Sequence, residues 1–177
     1  MQAAPPLDQL RAVIAAICRN ILQYTPEHLQ SVAYRATYKH RDHALNLLRH
    51  NDVQFPSPLS LLNTIRAPKP PTIEFFKSLP LVPGKLWVVY VLVLEKPGMQ
   101  PAIYVGKSTH SKGYSHRMSQ YDKHRNLPRF VEMFFEKGYT ITHRATLAWA
   151  AIPSDPLDRV RLTGLILLLE TLFALLF

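Results

Sequence analysis

The chain has one cysteine, Cys18, so it can form neither an internal disulfide nor a thiolate zinc site. A lone thiol suits a reducing, intracellular compartment, with nucleus and cytoplasm not distinguished by it. No secretory leader is expected, because Met1-Gln2-Ala3-Ala4-Pro5-Pro6 lacks the basic-then-apolar order such a segment needs. A membrane-length apolar run is also missing. Residues 162–177 come nearest, but they fall short of the roughly 20 apolar residues of a bilayer span and carry a carboxylate near their middle. A buried core helix is the better expectation and no membrane partner is favoured, with a C-terminal membrane anchor resting on this run alone as a third reading. Carboxylates are scarce, at 12 Asp and Glu against 21 Lys and Arg, for a net charge of +9. That excess fits a polyanionic partner, nucleic acid ahead of an anionic membrane surface.

What is present supports a folded chain. At 177 residues and 47% hydrophobic content there is enough apolar surface for a real core. Three stretches follow from composition: a helical N-terminal region over 1–52, a proline-rich connector over 53–83, and a further domain over 84–177. In the first, Leu10, Val13, Ile14, Ile17 and Ile21 recur at the spacing of one helix face. Thr25-Pro26-Glu27-His28 reads as a helix start carrying Leu29, Val32 and Ala33. Another helical stretch runs through Leu45, Leu47 and Leu48. Residues 7–50 could serve as a docking platform for a protein partner. The pair His40 and His43 lacks a third metal ligand, and with Arg35, Lys39, Arg41 and Arg49 it reads as a basic face for phosphate or solvent. Seven of the fifteen prolines fall in 53–83, which suggests an extended connector with short helices over 59–65 and 72–78.

After Gly84 the pattern turns to strands. Residues 85–94 are rich in Val, Leu, Trp and Tyr, 95–100 form a turn, and 102–107 return antiparallel. Helices are expected over 115–124 and 128–137, a third strand over 139–150 and a long final helix over 157–177. The expected fold class is α+β: a small three-stranded antiparallel sheet flanked by helices, in the order β-β-α-α-β-α, preceded by the helical region. The interval 104–144 concentrates eight Lys and Arg and four His against three acids, as a nucleic-acid surface would.

Five residues in this frame suggest phosphodiester chemistry. Tyr104-Val105-Gly106-Lys107-Ser108 presents a phenol and an ammonium at a strand end, and Tyr90 lies on the preceding strand. Arg117 falls in Ser115-His116-Arg117-Met118-Ser119-Gln120-Tyr121, and Glu170 interrupts Leu167-Leu168-Leu169-Glu170. A carboxylate alone in an apolar stretch is costly to bury unless paired or metal-bound. Glu170 could hold Mg²⁺, with Mn²⁺ as a substitute, or pair with Arg161 or Lys107. Tyr104 could act as general base, with Lys107 expected to favour the phenolate. Arg117 offers a donor fork to phosphate oxygens, or pairs with Asp122 or Glu136. Tyr121, four residues on, shares its helix face and would support it.

Val88-Val89-Tyr90, Tyr104-Val105-Gly106, Arg117 and Glu170 occur in the order of the GIY-YIG nuclease superfamily. Residues 85–177 resemble it, and the local likeness is to the N-terminal nuclease domain of the bacterial excision-repair incision subunit. Departures are Val88 in place of the first motif's glycine, a longer loop over 109–114, and no counterpart of an asparagine that many members carry after the glutamate helix. The resemblance implies a metal-dependent endonuclease, DNA favoured over RNA, with Tyr90, Tyr104, Lys107, Arg117 and Glu170 as its site. A catalytically weak or inactive nucleic-acid-binding module of the same fold is the alternative.

Overall fold

Strand β1 (Leu86–Glu95) is apolar at nearly every position, and it is buried from Trp87 to Leu94. Successive side chains point to opposite faces, so a strand buried throughout must be covered on both. Trp87, Val89, Val91 and Val93 enter one core, while Val88, Tyr90, Leu92 and Leu94 enter another. The computed structural model describes residues 4–24 and 42–177, and its fold is α+β. The helix start at Thr25 and His40 of the histidine pair lie outside those residues.

The sheet has the order β2-β1-β3 and is antiparallel throughout, with β2 at Ala102–Ser108 and β3 at Thr140–Ala151. Seven helices surround it among the described residues: α1 (Pro6–Tyr24), α2 (His43–His50), α3 (Pro58–Arg66), α4 (Ile73–Ser78), α5 (Tyr114–Asp122), α6 (Arg129–Glu136) and α7 (Pro156–Leu176). Helices α5 and α6 cover the face that carries Tyr90. The other face is covered by α7, together with α1 to α4.

Helix α7 is the centre of the larger core. Leu162, Leu165, Ile166, Leu168, Leu169, Leu172 and Phe173 are fully buried on it, each stabilising by about 1.5–3 kcal/mol relative to exposure. Asp155 caps its N-terminus by accepting from the Asp158 amide at 2.8 Å, and Pro156 occupies the first turn. No helix among the described residues is long and apolar enough to cross a membrane.

The proline-rich stretch also builds the core. Prolines start α3 and bound α4, yet Val53, Phe55, Leu61, Leu62, Phe76 and Leu79 are all buried in the cluster that holds α1 and α7. The stretch also covers the outer edge of β3. Gln54 exchanges two backbone hydrogen bonds with Trp149 (2.8 and 3.0 Å), and the Thr146 amide donates to the Pro80 carbonyl at 3.0 Å. The composition boundary near residue 83 is therefore no break in packing. The outer edge of β2 pairs with no described strand.

A buried arginine ties α1 to this stretch. Arg11, 8% exposed, donates to the Val53 carbonyl from Nε (3.2 Å) and Nη2 (2.8 Å), and Nη2 also meets Asp52 at 2.9 Å. Arg11→Met keeps the apolar stem but strands that carbonyl, so it should lower the unfolding free energy by about 2 kcal/mol. Urea titration with an unchanged m value would show it. A loss below about 0.5 kcal/mol, within the range of ordinary surface substitutions, would mean that α1 is held by its apolar face alone.

Candidate active site

The open edge strand carries the second tyrosine. In the β1–β2 register Tyr90 faces Gly106 and Leu92 faces Tyr104, so Tyr90 and Tyr104 project from the same side of the sheet. Their rings converge over position 106. A Cβ there would lie 2.6 Å from Tyr90 Oη and 2.7 Å from Tyr104 Cε1. Glycine is required here for space, since nothing larger leaves room for both rings.

Helix α5 supplies the next two groups. Tyr90, 1% exposed, meets the Tyr121 hydroxyl at 2.8 Å, and the rings pack edge to face. Arg117, one turn before Tyr121, lays its guanidinium over that ring at 4.8 Å and brings Nε to 3.5 Å from Tyr90 Oη. Its Nη1 donates to Gln120 Oε1 at 2.6 Å and to the Asn126 carbonyl at 2.8 Å. Asn126 itself adopts positive φ (50°), which turns its carbonyl back toward the helix. Pairing of Arg117 with Asp122 does not occur: Asp122 pairs with Arg144 instead. Tyr104 is half-buried and stacks on Phe130, with centroids 6.0 Å apart.

Glu170 approaches from the other layer. It lies on α7 with its side chain 22% exposed, 3.8 Å from Lys107 Nζ. Lys107 lies opposite Val89 and so belongs to the face away from Tyr104. The expectation that Lys107 favours a Tyr104 phenolate is corrected on this point: three residues along a strand reverse the face, and the ammonium serves Glu170.

Electrostatics join the two layers. Burial pushes the Tyr104 phenol well above its ordinary range, the Tyr121 hydroxyl and the Glu170 carboxylate push it further, and Arg117 partly offsets them. The phenols of Tyr90 and Tyr121 are likewise raised, first by burial. Burial also raises the Glu170 carboxyl, and Lys107 offsets only part of this. Contacts therefore gather the expected residues into two groups: Tyr90 and Arg117, with Tyr121, beside Tyr104 on one face of the sheet, and Lys107 with Glu170 on the other.

Tyr121 and Gly106 carry more than expected. Tyr121 links both its neighbours rather than only supporting the arginine, and its i+4 spacing from Arg117 was the signal. Gly106 was legible only as part of a triplet. His116 stacks on His110, with centroids 4.2 Å apart, outside the hydroxyl network. Among the described residues no group of three or more His, Cys, Asp or Glu could hold a metal ion. Glu170 is the single carboxylate of this set. That donor set suits Mg²⁺, which commonly binds through one or two carboxylates, water and substrate phosphate. The chain matches no protein-family model, no curated protein and no solved structure.

Two expected outcomes follow from this geometry. Gly106→Ala forces the Tyr90 and Tyr104 rings apart and should destabilise by about 1–3 kcal/mol, as overpacking does. Denaturant unfolding checks it, and an unchanged midpoint would mean that the rings have room to shift. For Glu170 the folded carboxyl holds its proton more tightly than the unfolded one. Stability is therefore full below the ordinary carboxylate range and declines as pH rises through the raised value. Glu170→Gln should remove that decline and exceed the parent in stability at neutral pH. Parallel unfolding curves for the two proteins from acid to neutral pH would contradict it.

Proposed function

We propose that the chain is a metal-dependent endonuclease of the GIY-YIG type that hydrolyses phosphodiester bonds in nucleic acid, with DNA favoured over RNA. The observation that carries this reading is the Arg117 guanidinium held over Tyr121 and against the Tyr90 hydroxyl on the Tyr104 face, with the Lys107–Glu170 pair bordering the same open strand β2. The basic interval over 104–144 supplies attraction for a polyanion.

Glu170 would hold Mg²⁺ or Mn²⁺, which when bound supplies charge and orientation to the phosphate and its attacking water. Arg117 is the group for the developing negative charge on the phosphate oxygens, held in place by Gln120, Asn126 and the Tyr121 ring. Tyr90 fixes the other side of Arg117 through its hydroxyl. Tyr104 is the candidate to orient the attacking water and accept its proton. It can do so only once ionised. Arg117 favours that step, while burial, Tyr121 and the charge of Glu170 oppose it. Lys107 balances Glu170 in the absence of substrate.

Plasmid, branched DNA and RNA incubated with Mg²⁺ or Mn²⁺ test the reading. Glu170→Gln should abolish cleavage and leave binding at low salt largely intact. Arg117→Ala should lower the rate by about 10²–10³, the usual cost of losing one electrostatic donor. Because the phenol is raised above its ordinary value of about 10, the rate should still be climbing at about pH 9.5, and Tyr104→Phe should lose that slope. Binding should weaken steeply with salt. Salt-dependent binding with no cleavage of any substrate would leave the inactive binding module as the reading. Cleavage by Glu170→Gln at the parental rate would sink the assignment.

A further inference from the structure

Away from the tyrosines, a cavity of about 550 Å³ opens where β1 begins and β2 and β3 end, against the start of α7. Lys85 and Arg159 line it together with the hydroxyls of Thr109, Ser111 and Ser154, around the Trp87 indole, and no carboxylate does. Neither cation has a carboxylate within ion-pair distance among the described residues, unlike Arg11, Lys77, Lys107, Arg144 and Arg161. The two aspartates at the start of α7 are engaged elsewhere. Asp155 caps the helix, and Asp158 meets Arg161 at 3.4 Å and His50 at 3.3 Å.

The walls are fixed without a ligand. Arg159 donates from Nε to the Pro153 carbonyl at 2.6 Å, which sets the plane of its guanidinium. Trp87 Nε1 donates to the His110 carbonyl at 3.1 Å, and the Gly113 amide donates to the same oxygen at 2.9 Å. Residues 109–113 are wedged against the start of β1, where a Cβ on Gly113 would lie 2.9 Å from Lys85 Cα. Two unbalanced cations with hydroxyl donors and no competing acid are the chemistry of a phosphate site.

Position supplies the rest. Trp87 and Val89 share a face of β1, and Lys107 stands opposite Val89, so the cavity lies on the same side of the sheet as the Lys107–Glu170 pair. Arg159 and Glu170 stand eleven positions apart on α7, about 16 Å at 1.5 Å per residue. We infer that this cavity is a second phosphate subsite, holding a backbone phosphate of the bound strand a few nucleotides from the bond at Glu170. The nucleic-acid identity of the ligand rests on the nuclease reading, whereas the oxyanion chemistry does not.

The test follows the Trp87 indole and Gly113 amide signals of the ¹⁵N-labelled full chain at low salt. Inorganic phosphate is added in one arm and a single-stranded oligonucleotide in the other. The oligonucleotide should shift both signals. Lys85→Ala with Arg159→Ala should weaken its binding about tenfold and reduce the salt slope by about 1, for the one phosphate no longer neutralised. Arg159→Lys, which keeps the charge, should recover part of the loss. Lys96→Ala with Lys137→Ala removes equal charge at the opposite end of the sheet and should cost little. The inference is overturned if the two double variants bind alike. It is overturned equally if Trp87 and Gly113 stay unmoved at saturating oligonucleotide, or respond to inorganic phosphate alone. Oligonucleotide held in this cavity by a chain that cuts nothing keeps the subsite and removes the nuclease reading.

Discussion

Everything else in the molecule is arranged around the burial of β1 on both faces. A central strand with no polar side demands two helical layers, and the layers are unequal: among the described residues α5 and α6 alone cover one side. That smaller layer is where polar groups could be admitted, and the two buried phenols satisfy each other there. The larger layer, built from α7 and the N-terminal helices, is apolar almost throughout and provides rigidity. The candidate site lies at the rim of both, where β2 leaves the sheet open.

An open edge is a hazard unless something occupies or deters it. β3 is covered by the stretch over 53–83, through Gln54 and Pro80. β2 is instead flanked by an ion pair and a half-buried ring. The same geometry that leaves the edge free gives access to a phenol, a carboxylate and a guanidinium from different elements. Since Glu170 stands on α7 and Arg117 on α5, the site depends on both layers docking correctly on one strand.

Much of the frame was legible in the residues. The hairpin and the third strand follow from runs of Val, Leu, Ile, Thr, Trp and Tyr set apart by turn residues, and the final helix from its Pro153-Ser154-Asp155-Pro156 start and the leucine-rich run behind it. The strand period also carried the answer for Lys107: positions 104 and 107 differ by an odd number, so a phenol and an ammonium could not share a face. Gly106 is different, because its meeting with Tyr90 depends on the register set by the turn, which composition does not fix. The stretch over 53–83 shows a third limit. Prolines mark where helices stop, but nothing local says that Leu61, Leu62 and Phe76 will find the same core as α1 and α7.

The raised carboxyl of Glu170 bears on how such a chain would drift over generations. A charge that burial disfavours, on an otherwise apolar helix face, is a residue that selection for folding alone would not retain. Neutral change would remove it early and leave the sheet, the tyrosines and the basic surface standing. A chain that had lost this charge would be sturdier than its parent, so its loss runs downhill in stability.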